Sequence, residues 1–397
     1  MNKVYQITLS TVLSLMVLGG CQEKDKKAAT TDCPQIEISE PLDCNVEELI
    51  ADYDTIRLET TDKSLLSGIL QIHLMNDKLY VTDRSSAYVM IFSKEGKYLS
   101  KICNQGGGPL EYIQIGSFET DAYSNRLLLT DSFTKRLFEY DENGKLLRVI
   151  PLKFLPNRIV SDQSGRLIHT SSASKLNDEG KKILNNCIHI VNERGKITEA
   201  FLADDTPQRL DIRSACAASY TKDGELLYMP VLSSTIFKIQ GSQAIPAYTF
   251  LNRTNRKSIT EEKKKALYYK YQRNNLVEAE QEGYLISGES FLASDSLIFL
   301  ALGWNDRLCT YYSKANSTSI TINPDALNGN KGLCEIFSTH PKAIKGNSLY
   351  IDVSTDKAAY TVPMLPDGKL KTFLENMNEG DNPVIITYRI RNVLFSH

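Results

Sequence analysis

Long hydrophobic runs are scarce in this sequence. The stretch near its start, Ile7–Leu18, falls short of the roughly 20 residues that a spanning helix needs, so a multi-span membrane protein is excluded. An excess of one charge is missing too. Forty-six Lys and Arg face 48 Asp and Glu, a formal charge of −2, so no global basic field draws in nucleic acid and no such partner is expected. There is no Cys-x-x-Cys pair. Histidines 73, 169, 189, 340 and 397 show neither His-Glu-x-x-His nor any paired-ligand spacing, so no metal centre is expected. Gln105-Gly106-Gly107-Gly108-Pro109 lacks the Gly-Lys-Ser/Thr ending of a phosphate-cradling loop. Gly288-Glu289-Ser290-Phe291-Leu292 lacks the last glycine of a nucleophile elbow. Asp141-Glu142-Asn143-Gly144 lacks the acidic residue that completes a calcium loop. With no complete catalytic constellation, no cofactor is expected.

What remains is globular composition, 42% hydrophobic and 24% charged over 397 residues. Twenty Tyr and 13 Phe beside a single Trp suit a β-rich chain with a large core.

The N-terminus reads as an address. Lys3 supplies a positive start, Ile7–Leu18 the apolar region, and Leu18-Gly19-Gly20-Cys21 follows at once. This resembles the bacterial lipoprotein signal, which implies removal of residues 1–20 and acylation of Cys21, with the membrane as partner through that anchor. Each buried CH₂ of an acyl chain contributes about 0.8 kcal/mol, so two or three chains hold a protein without a spanning helix. Residues 22–32 are polar, and the stretch 21–49 is expected to be the lipidated Cys and a flexible tether. The expected location is the cell envelope at the outer membrane, periplasmic or surface-facing. Of the seven other cysteines, Cys33 and Cys44 lie near enough in sequence for a disulfide in an oxidising compartment, and the rest read as small buried hydrophobes.

A repeat is legible. Residues 78–102 (KLYVTDRSSAYVMIFSKEGKYLSKI) align without a gap to residues 126–150 (RLLLTDSFTKRLFEYDENGKLLRVI) at an offset of 48, with seven identities and the apolar positions in phase. Each unit runs as a strand ending in Thr-Asp, a second strand, a Gly hairpin and a third strand. Asp83 and Asp131 recur in equivalent places and suit strand-end capping. Asn143-Gly144 predicts a type I′ hairpin. One unit cannot bury both faces of its sheet, so repetition supplies the stability. The pattern continues through Arg166–Thr170 and Ile188–Val191, Glu225–Met229 and Ile236–Ile239, Ser296–Leu302 and Cys309–Tyr312. It ends with Ser348–Val353, Ala359–Val362, a hairpin at Asp367-Gly368 and Val384–Ile390. About six units fill residues 50–397, which predicts an all-β, six-bladed β-propeller of four-stranded antiparallel blades. An early strand, Thr55–Glu59, closes the last blade and shields its edge. Thr260–Glu282 breaks this grammar as a helical insertion, with Thr260 as N-cap, Glu261 and Glu262 in the first turn and Gly283 as stop.

The run LETTDKSLLSGILQIHLMNDKLYVTDRSSAYVMIFSKEGKYLSKI, followed by CNQGGGPLEY, resembles the six-bladed NHL-like β-propeller lipoproteins of Bacteroides-type bacteria. Gly106, Gly108, Pro109, Glu111 and Tyr112 match that family's loop between its first two blades, with Leu110 where the family often has Gly. Asn382-Pro383-Val384-Ile385-Ile386-Thr387-Tyr388 is similar to its closing strand. The resemblance implies the fold and no activity.

Ligand-binding candidates are Arg84, which has no counterpart in the second repeat, and Glu111 and Tyr112 on the glycine-rich loop. Trp304 reads as core or blade-interface packing, or alternatively as a stacking platform for a sugar or aromatic ligand with Asn305, Asp306 and Arg307 as polar partners, and His340 precedes the last unit. The expected function is a binding or scaffold module for a peptide, glycan or envelope protein. The alternative is a propeller enzyme, lyase- or lactonase-like, with a metal held in the central channel by ligands spread over several blades.

Overall fold

The computed structural model describes residues 33–396, apart from 153–157, 163, 171–185, 204–217, 221–223, 231, 270–273, 288–289, 304 and 306. The chain opens with β1 (Gln35–Ile38), a single helical turn α1 (Val46–Leu49) and β2 (Ile50–Ile56). Blade 1 then runs β3 (Ile69–Met75), β4 (Lys78–Asp83), β5 (Val89–Ser93) and β6 (Tyr98–Ile102). Blade 2 is β7 (Ile115–Asp121), β8 (Arg126–Asp131), β9 (Arg136–Asp141) and β10 (Leu146–Pro151). Blade 3 is β11 (Arg158–Ser161), β12 (Leu167–Thr170), β13 (Asn186–Val191) and β14 (Ile197–Ala203). Blade 4 is β15 (Ala218–Tyr220), β16 (Leu226–Tyr228), β17 (Thr235–Gln240) and β18 (Gln243–Asn252). Two helices follow, α2 (Glu261–Tyr269) and α3 (Asn274–Gln281). Blade 5 is β19 (Ser290–Ala293), β20 (Leu297–Leu302), β21 (Leu308–Ser313) and β22 (Thr318–Ile322), trailed by α4 (Lys331–Phe337). Blade 6 holds β23 (Ala343–Lys345) and β24 (Ser348–Val353), then α5 (Thr355–Thr361), α6 (Lys369–Glu375) and β25 (Val384–Ile390).

Each blade is an antiparallel sheet whose first strand lies innermost, and the innermost strands stand side by side around a ring: β3 by β7, β7 by β11, β15 by β19, β19 by β23 and β23 by β3. The last blade is completed by β2, which pairs antiparallel with β25 from Ile50↔Ile390 to Ile56↔Ile385. The six-bladed ring and its closure by an N-terminal strand are therefore as the repeat predicts, although that strand is Ile50–Ile56 rather than Thr55–Glu59.

Side-chain alternation explains why the blades stack. On β4, Leu79 and Val81 pack into the apolar layer shared with blade 6, while Tyr80 between them packs into the layer shared with blade 2. On β8, Leu127 and Leu129 face blade 1 and Leu128 faces blade 3. Every interface between blades has its own buried cluster of this kind. Each fully buried aliphatic or aromatic side chain contributes about 1.5–3 kcal/mol, so the layers between blades carry the stability.

The outer hairpins share one device. Gly96, Gly144 and Gly195 all adopt positive φ, at 91°, 85° and 72°. Ahead of them Ser93, Asp141 and Asn192 accept from the turn's own amides, as in Asn143 N–H to Asp141 Oδ1 at 2.9 Å and Lys196 N–H to Asn192 Oδ1 at 3.0 Å. Asn143 is not left-handed, and the pairing slips between Leu146 and Arg148. The hairpin is thus a right-handed turn, a left-handed glycine and a bulge rather than the expected type I′. These glycines also touch the preceding blade: a Cβ on Gly96 would sit 2.1 Å from the Arg57 carbonyl oxygen. Gly96→Ala is expected to lower stability by about 2–4 kcal/mol, from the left-handed conformation and the forced overlap together, measured by denaturant unfolding.

Three further expectations are corrected. The tether to residue 49 gives way to ordered structure from residue 33: β1 adds parallel to the outer edge of β18, from Gln35↔Thr249 to Ile38↔Asn252, and Leu42 N–H bonds the Thr321 carbonyl of blade 5. Ala359–Val362 and Asp367-Gly368 are not strand and hairpin but α5 and the start of α6. Ser354 caps α5 by accepting from Lys357 N–H, and Ala358, Leu370 and Leu374 are buried against blades 5 and 6, so helical spacing wins over the local β-like pattern. Cys33 and Cys44 are free thiols. The helical insertion forms as two helices: Thr260 caps the first through Lys263 N–H at 3.1 Å, and Gly283 ends the second at φ 86°. Leu267, Leu276 and Ala279 pack with Leu232 and Ile286.

Candidate functional site

Antiparallel topology assigns every connection to one of two faces. Among the described residues, one face carries tight hairpins such as Asn76-Asp77, 94–97, 142–145, 241–242 and 346–347, with the short turn Asn392–Phe395 after the last strand. On the other lie the segments 57–68, 103–114, 253–289, 323–342 and 354–383, which carry every helix from α2 to α6. Short hairpins fix the blade, and the long connections are free to build a site.

A cavity of about 700 Å³ opens among the long connections of blades 5, 6 and 1. Arg84, Arg307 and His340, singled out separately from the sequence, all line it, together with Lys342, Lys357 and Asp352. Lys342 Nζ lies 2.7 Å from Asp352 Oδ1 and also donates to the Ile69 carbonyl. Arg307 Nε donates to Asp325 Oδ2 at 2.8 Å, and a second guanidinium nitrogen reaches the Ser338 carbonyl at 3.4 Å. On the far side Arg57 holds Asp381 at 3.1 Å. Lys357 Nζ donates to Thr339 Oγ1 at 2.8 Å. Burial pushes the Lys357 ammonium below its ordinary range, against the pull of Glu335 and Asp352, with the Arg307 charge adding to the fall.

His340 is held neutral. Burial first and the Arg307 guanidinium second lower it to about 4, against an opposing pull from Asp325. Its Nε2 is buried without a hydrogen-bond partner, and its ring meets Phe299 edge-on. The unfolded chain takes up the proton near pH 6.5 and the folded protein only near 4, so acid favours unfolding through that window. Stability is expected to fall from pH 6.5 towards 4 with a contribution approaching about 1.4 kcal/mol per unit, and His340→Gln should remove it in melting curves taken across that range.

The other candidates lie elsewhere. Tyr112 is fully buried between blades 1 and 2, and its hydroxyl donates to the Ala87 carbonyl at 2.7 Å and to that of Ile102 at 3.3 Å. Glu111 Oε2 accepts from Gly108 N–H at 2.8 Å, and a Cβ on Gly106 would lie 2.1 Å from it, so this pair folds the glycine-rich loop. Asn305 is exposed, its backbone N–H bonded to Glu280 at 2.8 Å. Trp304 and Asp306 fall outside the described residues. Asp83 and Asp131 cap as expected: Asp83 accepts from Ser67 and Ser85 amides, Asp131 from Ile113 and Phe133 amides.

A second polar cluster escaped the sequence reading. His73 on β3, Glu119 on β7 and Arg158 on β11 meet across the innermost strands of blades 1, 2 and 3. Glu119 Oε1 pairs with the Arg158 guanidinium, and Oε2 lies 3.7 Å from His73 Nδ1. Their side chains are 5%, 11% and 12% exposed for Glu119, Arg158 and His73, deep enough that the charges cannot be left to water. The signal was a carboxylate at a buried position of an innermost strand. Among the described residues no three His, Cys, Asp or Glu side chains are grouped to hold a metal ion, and no helix is long and apolar enough to cross a membrane.

The family profile described as Domain of unknown function (DUF4934) matches residues 33–389. No curated protein matches the chain. Among solved structures, a protein of Bacteroides fragilis described as exported aligns over 90% of this chain and 99% of its own, at 16% identity and a TM-score of 0.75, which shows a shared fold. A DUF4221 member from Bacteroides vulgatus aligns over 86% of this chain and 97% of its own, at 9% identity and TM-score 0.49. A catalytically inactive virginiamycin B lyase from Staphylococcus aureus, solved with quinupristin, aligns over 75% of this chain and 81% of its own, at 10% identity and TM-score 0.41.

Proposed function

We propose that this chain, which belongs to the DUF4934 family, is a lipid-anchored binding module of the cell envelope, an NHL-like propeller lipoprotein whose long-loop face holds a small polar ligand, free or carried by a peptide, glycan or envelope protein. One observation carries the reading: among the described residues, helices α2 to α6, the long connections and the cavity of about 700 Å³ with its charged lining gather on one face, and the opposite face carries mostly short hairpins. The Leu18-Gly19-Gly20-Cys21 signal supports anchoring through Cys21, and the exported Bacteroides relative of the same fold supports an extracytoplasmic place.

Hydrogen exchange on the full chain, with envelope peptides and glycans added in turn, tests the site. Binding should protect the amides of 65–69, 338–342 and 354–357. Protection confined to the hairpin face, or none with any fraction, overturns the reading. For the anchor, Cys21→Ser should move the protein from the membrane to the soluble fraction and abolish labelling by a fatty-acid probe.

A further inference from the structure

The cavity's charges are not evenly satisfied. Its inner carboxylates have their own cations: Asp352 has Lys342 at 2.7 Å, and Asp381 has Arg57 at 3.1 Å. Asp356 and Glu379, the other acids of the lining, are solvent-exposed. Four cations, Arg84, Arg307, Lys342 and Lys357, line the cavity beside those four carboxylates, with Arg84 itself solvent-exposed, so the imbalance lies in how they are paired. Lys357 is half-buried, and its ammonium has three donors of which one is used, on Thr339, with no carboxylate in ion-pair range. Arg84 brings five donors, none engaged by any described residue, and its stem lies against Gly68. Arg307, itself paired with Asp325, lies close enough that its charge is felt at both Lys357 and His340. Glu335 and Asp352 act on the half-buried Lys357 only from beyond ion-pair range, so two of its donors remain for a bound anion.

We propose that this cavity binds the oxyanion of a small ligand, a carboxylate or a phosphate or sulfate ester, between Lys357 and Arg84, with His340 as a neutral hydrogen-bonding neighbour. Arg84 gives the fork that matches a planar or tetrahedral oxyanion, and Lys357 the point charge. The inference rests on the proposed binding function and narrows its ligand class.

Calorimetric titration of the full-length protein with glucuronate, glucose 6-phosphate, inorganic sulfate, glucose and glucosamine tests it at low and at moderate salt. At least one anion is expected to bind more tightly than glucose and glucosamine, and to weaken as salt rises. Preference for glucuronate assigns a carboxylate, preference for glucose 6-phosphate or sulfate an ester. Lys357→Met and Arg84→Gln should each weaken that anion about tenfold, and Lys357→Arg should restore most of the loss, at unchanged circular dichroism. Equal binding of glucose or glucosamine, or indifference to both substitutions, sinks the anion assignment and leaves a neutral-ligand cavity. No binding of any probe, with no exchange protection from envelope fractions, removes the binding function itself.

Discussion

Replacing Glu119 by Gln is expected to lower stability by about 3–5 kcal/mol. Its carboxylate is 5% exposed and is placed between Arg158 and His73 from the blades on either side. Two charges withdrawn from water attract each other enough to offset most of their desolvation. One charge left alone cannot do so. The glutamine side chain has nearly the shape of the glutamate, so packing is preserved and the loss reads the charge. His73 sharpens the test. Burial holds it below its ordinary range while Glu119 pulls it back up, so Glu119→Gln should lower it further in a proton-resonance titration. Glu119→Gln with Arg158→Met should recover part of the loss, because neutral side chains of similar volume carry no desolvation penalty. A double-mutant cycle with coupling below about 0.5 kcal/mol would show that the pair does not hold the blades together.

Asn382→Ala is the second large effect, again about 3–5 kcal/mol. Asn382 is 1% exposed and stands in the loop before the closing strand β25. Its Oδ1 accepts from Leu66 N–H at 2.8 Å, and its Nδ2 donates to the carbonyls of Glu59 at 3.0 Å and Ser64 at 2.7 Å. One amide thus ties the last blade to the segment that leads into the first. Alanine leaves two backbone groups, Leu66 N–H and the Ser64 carbonyl, unpaired in a place shut off from water, each at about 1–3 kcal/mol before the loop relaxes, while the Glu59 carbonyl keeps Ser64 Oγ. Asn382→Asp keeps the shape yet loses both donors and adds a buried charge, so it should cost at least as much. Urea unfolding of both variants checks the order, and an aspartate variant as stable as the parent would mean that the two donated bonds contribute little.

The blades were legible because their strands obey a local rule. Leu79, Thr82-Asp83 and Gly96 recur 48 residues on, and each does the same work in both places: core packing, a capped turn, a hairpin pressed on its neighbour. Asn382-Pro383 resembled a closing strand for a physical reason that only the fold displays, since its three partners lie more than 300 residues away. Where local pattern and burial disagreed, burial won: Ala359–Val362 alternates like a strand, but Ser354 and Leu370 commit the segment to helices. The cavity was half legible. Arg84, Arg307 and His340 stood out singly, whereas Lys342 and Lys357 look like ordinary surface lysines until three blades bring them together. Glu111 and Tyr112 lie on a loop outside the cavity, and there they serve its folding. The His73–Glu119–Arg158 cluster spans three blades, with no spacing in the chain that could announce it.

The pairing of β2 with β25 has a temporal side. The ribosome makes Ile50–Ile56 before blades 1 to 5 and Val384–Ile390 after them, so the first strand waits for its partner while five blades are made. Blades 1 to 5 can condense in order as they emerge, each on the one before, but the sixth must recruit a segment made long before. Closure is therefore a late step of high contact order, and until it happens an unpaired edge is open to wrong neighbours.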